Sequence, residues 1–166
     1  VGEILATLEE IGQAEDTVIL YLSDHGELLG DKGMWTKQVM YEASAGIPMI
    51  LAGPSVPDGI VRNTASSIVD VAATALDVML DTSDDSAPGL SLRQLAQDPD
   101  DADRTVLCEY HDGRSTTGAF MVRWGDWKYM CYPGMQPQLF NLAEDPSEGH
   151  DLGSDVSQRA AAARAR

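Results

Sequence analysis

An apolar run, Val18-Ile19-Leu20-Tyr21-Leu22, stops without transition at Ser23-Asp24-His25-Gly26. A short, dense apolar run of this kind reads as a buried strand. Two side chains able to ligate a metal therefore stand where a strand gives way to a loop. The loop that follows is polar and contains glycine, and it carries Lys37 thirteen positions after Asp24. Ahead of the run, Ile4, Leu5, Leu8 and Ile11 recur at helical spacing and Gly12 is a natural stop. A helix feeding a buried strand is half of an α/β unit, whose strands are expected in a parallel sheet. After the loop, Lys37 to Ser44 suits a short helix. Ile47 to Ala52 suits a second strand, with Pro48 at its first position or at an edge.

The rest of the chain divides by period. Ser66 or Ser67 can cap a helix running to Leu80, with Ile68, Val71, Ala72, Ala75, Val78 and Met79 as its apolar stripe. Residues 81–103 read as an acidic surface linker with one short turn near Ser91–Ala96. From Arg104 the pattern becomes period two. Strands are expected at Val106–Tyr110, Phe120–Trp124, Trp127–Tyr132 and Gln138–Leu142. Gly125-Asp126 carries the signal of a type II′ hairpin link. Residues 157–166 suit a C-terminal helix. The expected fold class is α/β: strands of a main sheet in residues 1–80, then a small antiparallel sheet of about four strands with a terminal helix in residues 104–166.

The 166 residues carry 27 acidic and 11 basic side chains, a net charge of −16. Nucleic acid and anionic membranes both select for basic patches, so neither is an expected partner. An anionic small molecule is still compatible, because one lysine and one metal ion can set a local field. No apolar run reaches the length of a membrane span. The first residues show no basic stretch followed by an apolar core. Cys108 and Cys131 match no zinc or redox spacing; a cross-strand disulfide is an alternative to the favoured pair of free, buried thiols.

Asp24 and His25 offer an oxygen and a nitrogen suited to a divalent cation. Gly26 frees the backbone so that two adjacent side chains can converge. The plainer reading is an aspartate capping a turn, with a histidine bonded to it. Lys37 is either a solvated loop lysine or the cation for an anionic substrate. His111, beside Asp112 and Arg114, is a candidate substrate contact set against an exposed polar loop. Trp124, Trp127, Tyr129 and Tyr132 suggest either a cage for a quaternary ammonium group or, preferably, cross-strand packing. Glu27 and Asp31 shape the loop.

The ordered set DTVILYLSDHGELLGDKGMWTKQVMYEASAGIPMIL resembles the type I sulfatases of the alkaline-phosphatase-like superfamily, and among them the choline-sulfatase and phosphonate-monoesterase-like branch. The resemblance continues through SSIVDVAATALDVM and through MVRWGDWKYMCYPGMQPQLFNLAEDPSEGHDL, where the closing segment reads Leu139-Phe140-Asn141-Leu142 and Asp145-Pro146. It covers about 150 collinear residues. His150 departs from an asparagine usual nearby, and is read as structural variation. The resemblance implies that Asp24 and His25 are two ligands of a divalent metal, calcium in most sulfatases and manganese in some relatives. It implies that Lys37 contacts the ester's oxygens and the nucleophile. The family's nucleophile is a formylglycine made from Cys or Ser in a C/S-x-P-x-R motif, and that motif is missing. Cys108 is followed by Glu109-Tyr110-His111-Asp112, and Cys131 by Tyr132-Pro133-Gly134-Met135. The expectation is thus a C-terminal part of a sulfatase, inactive alone and binding metal weakly. A small sulfate ester would be its substrate and the N-terminal part of the same protein its partner. The rival readings are a phosphonate monoester or phosphodiester hydrolase, and a non-catalytic packing or homo-oligomerisation module.

Overall fold

A computed structural model describes residues 1–80, 88–113 and 116–154. The expected helix at 157–166 and the residues 81–87 of the acidic linker lie outside the described residues, as does Arg114. The chain forms two compact units.

The first unit comprises residues 1–23, 48–62 and 66–100. It holds helix α1 (Gly2–Glu10), strands β1 (Ile19–Leu22) and β2 (Met49–Ala52), and helices α3 (Val69–Leu80) and α4 (Leu92–Gln97). β1 and β2 pair with each other antiparallel, Ile19 opposite Ala52 and Leu22 opposite Met49. The helix–strand order had pointed to parallel neighbours; within the described residues each of these strands has the other as its only partner. Nor are they buried: Tyr21 and Ile50 face solvent.

The stripe expected to bury α3 is also largely open, with Ile68, Ala72, Ala75 and Met79 exposed. The buried face of α3 is polar instead, because it closes the entry to α4. The buried Asp70 carboxylate accepts the Ser67 and Leu90 N–H groups, and Thr74 Oγ1 accepts the Leu92 N–H. Ser91 caps α4, accepting the Arg93 N–H, and its hydroxyl donates to Asp77.

The second unit comprises residues 24–47, 63–65 and 101–166. Its described elements are the short helix α2 (Glu42–Ala45) and an antiparallel meander of β3 (Thr105–Tyr110), β4 (Ala119–Trp124), β5 (Trp127–Cys131) and β6 (Gln138–Asn141), in that order. The expected four strands are therefore present, each within two residues of its predicted bounds. Trp124 faces Trp127 across the β4–β5 link. The link's positive φ falls on Gly125, its first central residue, as a type II′ turn requires.

Directly opposed residues share a face of a sheet, so the register sorts the side chains. Cys108, Met121, Met130 and Gln138 stand on one face, as do Arg123, Lys128 and Phe140. On this face Met121, Met130, Ala119 and Phe140 close over Met40, flanked by Tyr41 and Ala45. The loop at 24–47, expected to belong with the first eighty residues, is thus packed on the small sheet. Cys131 opposes Phe120, which places it on the other face from Cys108 and one strand removed from it. Both thiols are free and half-buried. Burial pushes the Cys108 thiol above its ordinary pKa.

Candidate metal and anion site

Asp24 opens the second unit, two residues after β1 ends. The His25 backbone N–H donates to Asp24 Oδ1 (3.0 Å), and the His25 ring turns back so that Nε2 lies 3.4 Å from Asp24 Oδ2. The other ring nitrogen, Nδ1, is 2.7 Å from the Gly26 carbonyl. A carbonyl only accepts, so Nδ1 carries a proton and Nε2 lies toward the carboxylate. A metal-binding histidine is commonly held in this way. The Asp24 side chain is 82% exposed. Desolvation is the largest single influence on it and raises its pKa. His25, two backbone N–H groups and Lys37 together outweigh that influence, and the carboxyl is held below the ordinary carboxylate value.

Gly26 is dictated by space. A Cβ there would lie 2.1 Å from the Ala43 carbonyl oxygen. The close approach lets the Gly26 N–H donate to the Ser44 carbonyl at 2.8 Å. Ser44 is buried, and its hydroxyl donates to the Lys37 carbonyl at 2.5 Å. Lys37 itself is exposed. One buried serine therefore touches both the backbone of the acid–histidine segment and the backbone of the lysine.

Asp24 and His25 fit part of a divalent cation's shell: one hard oxygen and one imidazole nitrogen facing each other. Among the described residues no third His, Cys, Asp or Glu completes a group of three. His111 lies apart from this pair. It is exposed at the end of β3, packed edge-on against Phe120 with ring centroids 5.4 Å apart. The aromatic cage is not formed, because Tyr132 follows β5 on the Met130 face while Trp124, Trp127 and Tyr129 occupy the opposite one. The Tyr132 hydroxyl accepts the Met40 N–H, and burial raises its pKa. His150 closes a turn, donating its N–H to Asp145 Oδ2 at 2.7 Å.

Sequence reasoning missed the anchor of the loop. Lys128 is fully buried, with Nζ 2.9 Å from Glu42 Oε1 and 2.8 Å from Glu148 Oε1. The second of these is an ion-pair contact rather than an aligned hydrogen bond. Glu148 Oε2 accepts the Glu42 N–H at 2.7 Å, so the start of α2 is gripped by side chain and backbone together. Lys32, in the loop itself, donates to the Ser147 and Glu148 carbonyls at 2.6 Å each, and its ammonium sits 5.3 Å from the Tyr41 ring centroid. The available signal was Lys128 at an inward position of a strand, two residues before Met130.

The fold and the polar loop belong to a class with known relatives. Residues 1–82 match the Sulfatase family model. Arylsulfatase K of Rattus norvegicus is 32% identical over 168 residues, covering 95% of this chain and 30% of that protein. Choline-sulfatase of Rhizobium meliloti is 36% identical over 158 residues, covering 93% and 30%. The solved phosphonate monoester hydrolase of Silicibacter pomeroyi superposes with a TM-score of 0.81 at 24% identity, over 99% of this chain and 36% of that one. The fold is alkaline-phosphatase-like. The chain is similar to the sulfatase family, and it spans about 30% of the length of the curated relatives it matches.

Proposed function

We propose that the chain is the C-terminal portion of a metal-dependent sulfuric ester hydrolase, supplying two metal ligands and one cation to an active site completed by the rest of the protein. The observation that carries this reading is the His25 ring. With Nδ1 committed to Gly26, Nε2 faces the Asp24 carboxylate, and Lys37 adds its field to the same carboxylate. Asp24 and His25 would hold the ion, calcium or manganese, which supplies positive charge at the sulfate oxygens.

The chain's own residues then divide the work. The Gly26 carbonyl fixes the His25 tautomer and ring. Lys37 donates to the ester's oxygens and offsets negative charge that develops during transfer. His111 contacts the outer part of a small sulfate ester. The nucleophile does not come from this chain, since neither Cys108 nor Cys131 sits in a C-x-P-x-R sequence. The arylsulfatase and choline-sulfatase relatives favour a sulfate ester. The likeness to a phosphonate monoester hydrolase supports the second reading, because both ester groups are tetrahedral oxyanions.

The test compares the full-length enzyme on an aryl sulfate and on a phosphonate monoester. The sulfate is expected to turn over faster. Asp24→Asn and Lys37→Ala are each expected to lower kcat/KM by about 100-fold or more. Wild-type rates in both variants would overturn the proposal.

A further inference from the structure

The geometry points to Ser44 as a positioning residue that sets where Lys37 stands relative to the Asp24–His25 pair; this rests on the reading of those three residues given above. Ser44 is 2% exposed. Its carbonyl accepts the Gly26 N–H at 2.8 Å, one residue from His25, and its hydroxyl donates to the Lys37 carbonyl at 2.5 Å. The residue has no freedom of its own. Its N–H donates to the Tyr41 carbonyl at 2.9 Å within the turn that opens α2, and the neighbouring Glu42 is held by Lys128 and Glu148. A rigid point thus bonds to both halves of the site through different atoms.

The split between atoms makes separable predictions. The bond to Gly26 uses the Ser44 backbone, so it survives replacement of the side chain. The bond to Lys37 uses only the hydroxyl. Removing that hydroxyl frees the Lys37 backbone, so the ammonium at the end of a flexible stem samples a larger volume. Displacing a charge by about 1 Å at a reacting group can cost 10²-fold.

The experiment is a double-mutant cycle in the full-length enzyme with an aryl sulfate substrate. Ser44→Ala is expected to lower kcat/KM by about tenfold to a hundredfold. Its dissociation constant for calcium, read by titration calorimetry, is expected to stay within about threefold, because the acid–histidine segment keeps its backbone bond. In a Lys37→Ala background the same change is expected to cost nothing further. If Ser44→Ala does not fold, Ser44→Cys, which preserves volume and donates weakly, takes its place in the cycle. Equal losses in both backgrounds, or a calcium affinity that falls in parallel with activity, would overturn the inference and leave Ser44 a packing residue. Full activity in Lys37→Ala alone would instead overturn the functional reading and this inference with it.

Discussion

Lys128 and Glu148 face each other at 2.8 Å, with the lysine side chain wholly buried and the glutamate 3% exposed. They lie twenty positions apart in the sequence and join β5 to the segment that follows β6. A buried ion pair contributes little against an apolar replacement of both partners, but removing one partner strands the other charge.

Lys128→Met should therefore destabilise the full-length protein by about 3–5 kcal/mol, read as a lower urea midpoint at unchanged slope. The buried Glu148 would be left without its counter-charge. A loss under 1 kcal/mol would show that the lysine is not the anchor of α2.

Asp77 makes a pH-dependent prediction. Its carboxylate accepts from Arg93 Nε at 2.9 Å and from Nη2 at 2.5 Å, with the Ser91 hydroxyl also donating. The Arg93 bonds hold its pKa below the ordinary value, against the opposing effect of burial. A depressed folded-state pKa contributes stability that is full above the unfolded value and is lost as pH falls through the folded one. Asp77→Asn should cost about 1–2 kcal/mol at pH 7, and the difference should shrink below about pH 4. Denaturation curves at pH 7 and pH 3 would measure it; an equal difference at both would contradict the assignment.

Gly26→Ala places a methyl group against the Ala43 carbonyl, where 2.1 Å leaves no room for it. The backbone must shift, and the His25 ring with it. Calcium affinity of the full-length enzyme should fall by about 10–100-fold, a range typical of changes to groups that orient metal ligands. Titration calorimetry would show this, and wild-type affinity would separate Gly26 from the site.

The small sheet was legible because period-two alternation and Gly125-Asp126 are local signals that act within a few residues. The break after Leu22, where β1 ends just before Asp24 and His25, was legible for the same reason. What stayed hidden depends on partners far apart in sequence. Glu42 and Lys128 are 86 positions apart, and Glu42 and Glu148 are 106 apart. Nothing around residue 42 announces a lysine from a distant strand, and local spacing alone groups the loop at 24–47 with the strands beside it. The α3 stripe misled because apolar spacing predicts which face can be buried, whereas the buried bonds of Asp70 and Thr74 show which face is.

In the proposed function this chain supplies part of a sulfatase site and no nucleophile. The direct measurement is sulfate release from an aryl sulfate by the purified 166-residue chain, with saturating calcium or manganese, assayed beside the full-length enzyme. Turnover is expected from the full-length enzyme and none above buffer from the chain alone. Sustained turnover by the chain alone would contradict the proposal.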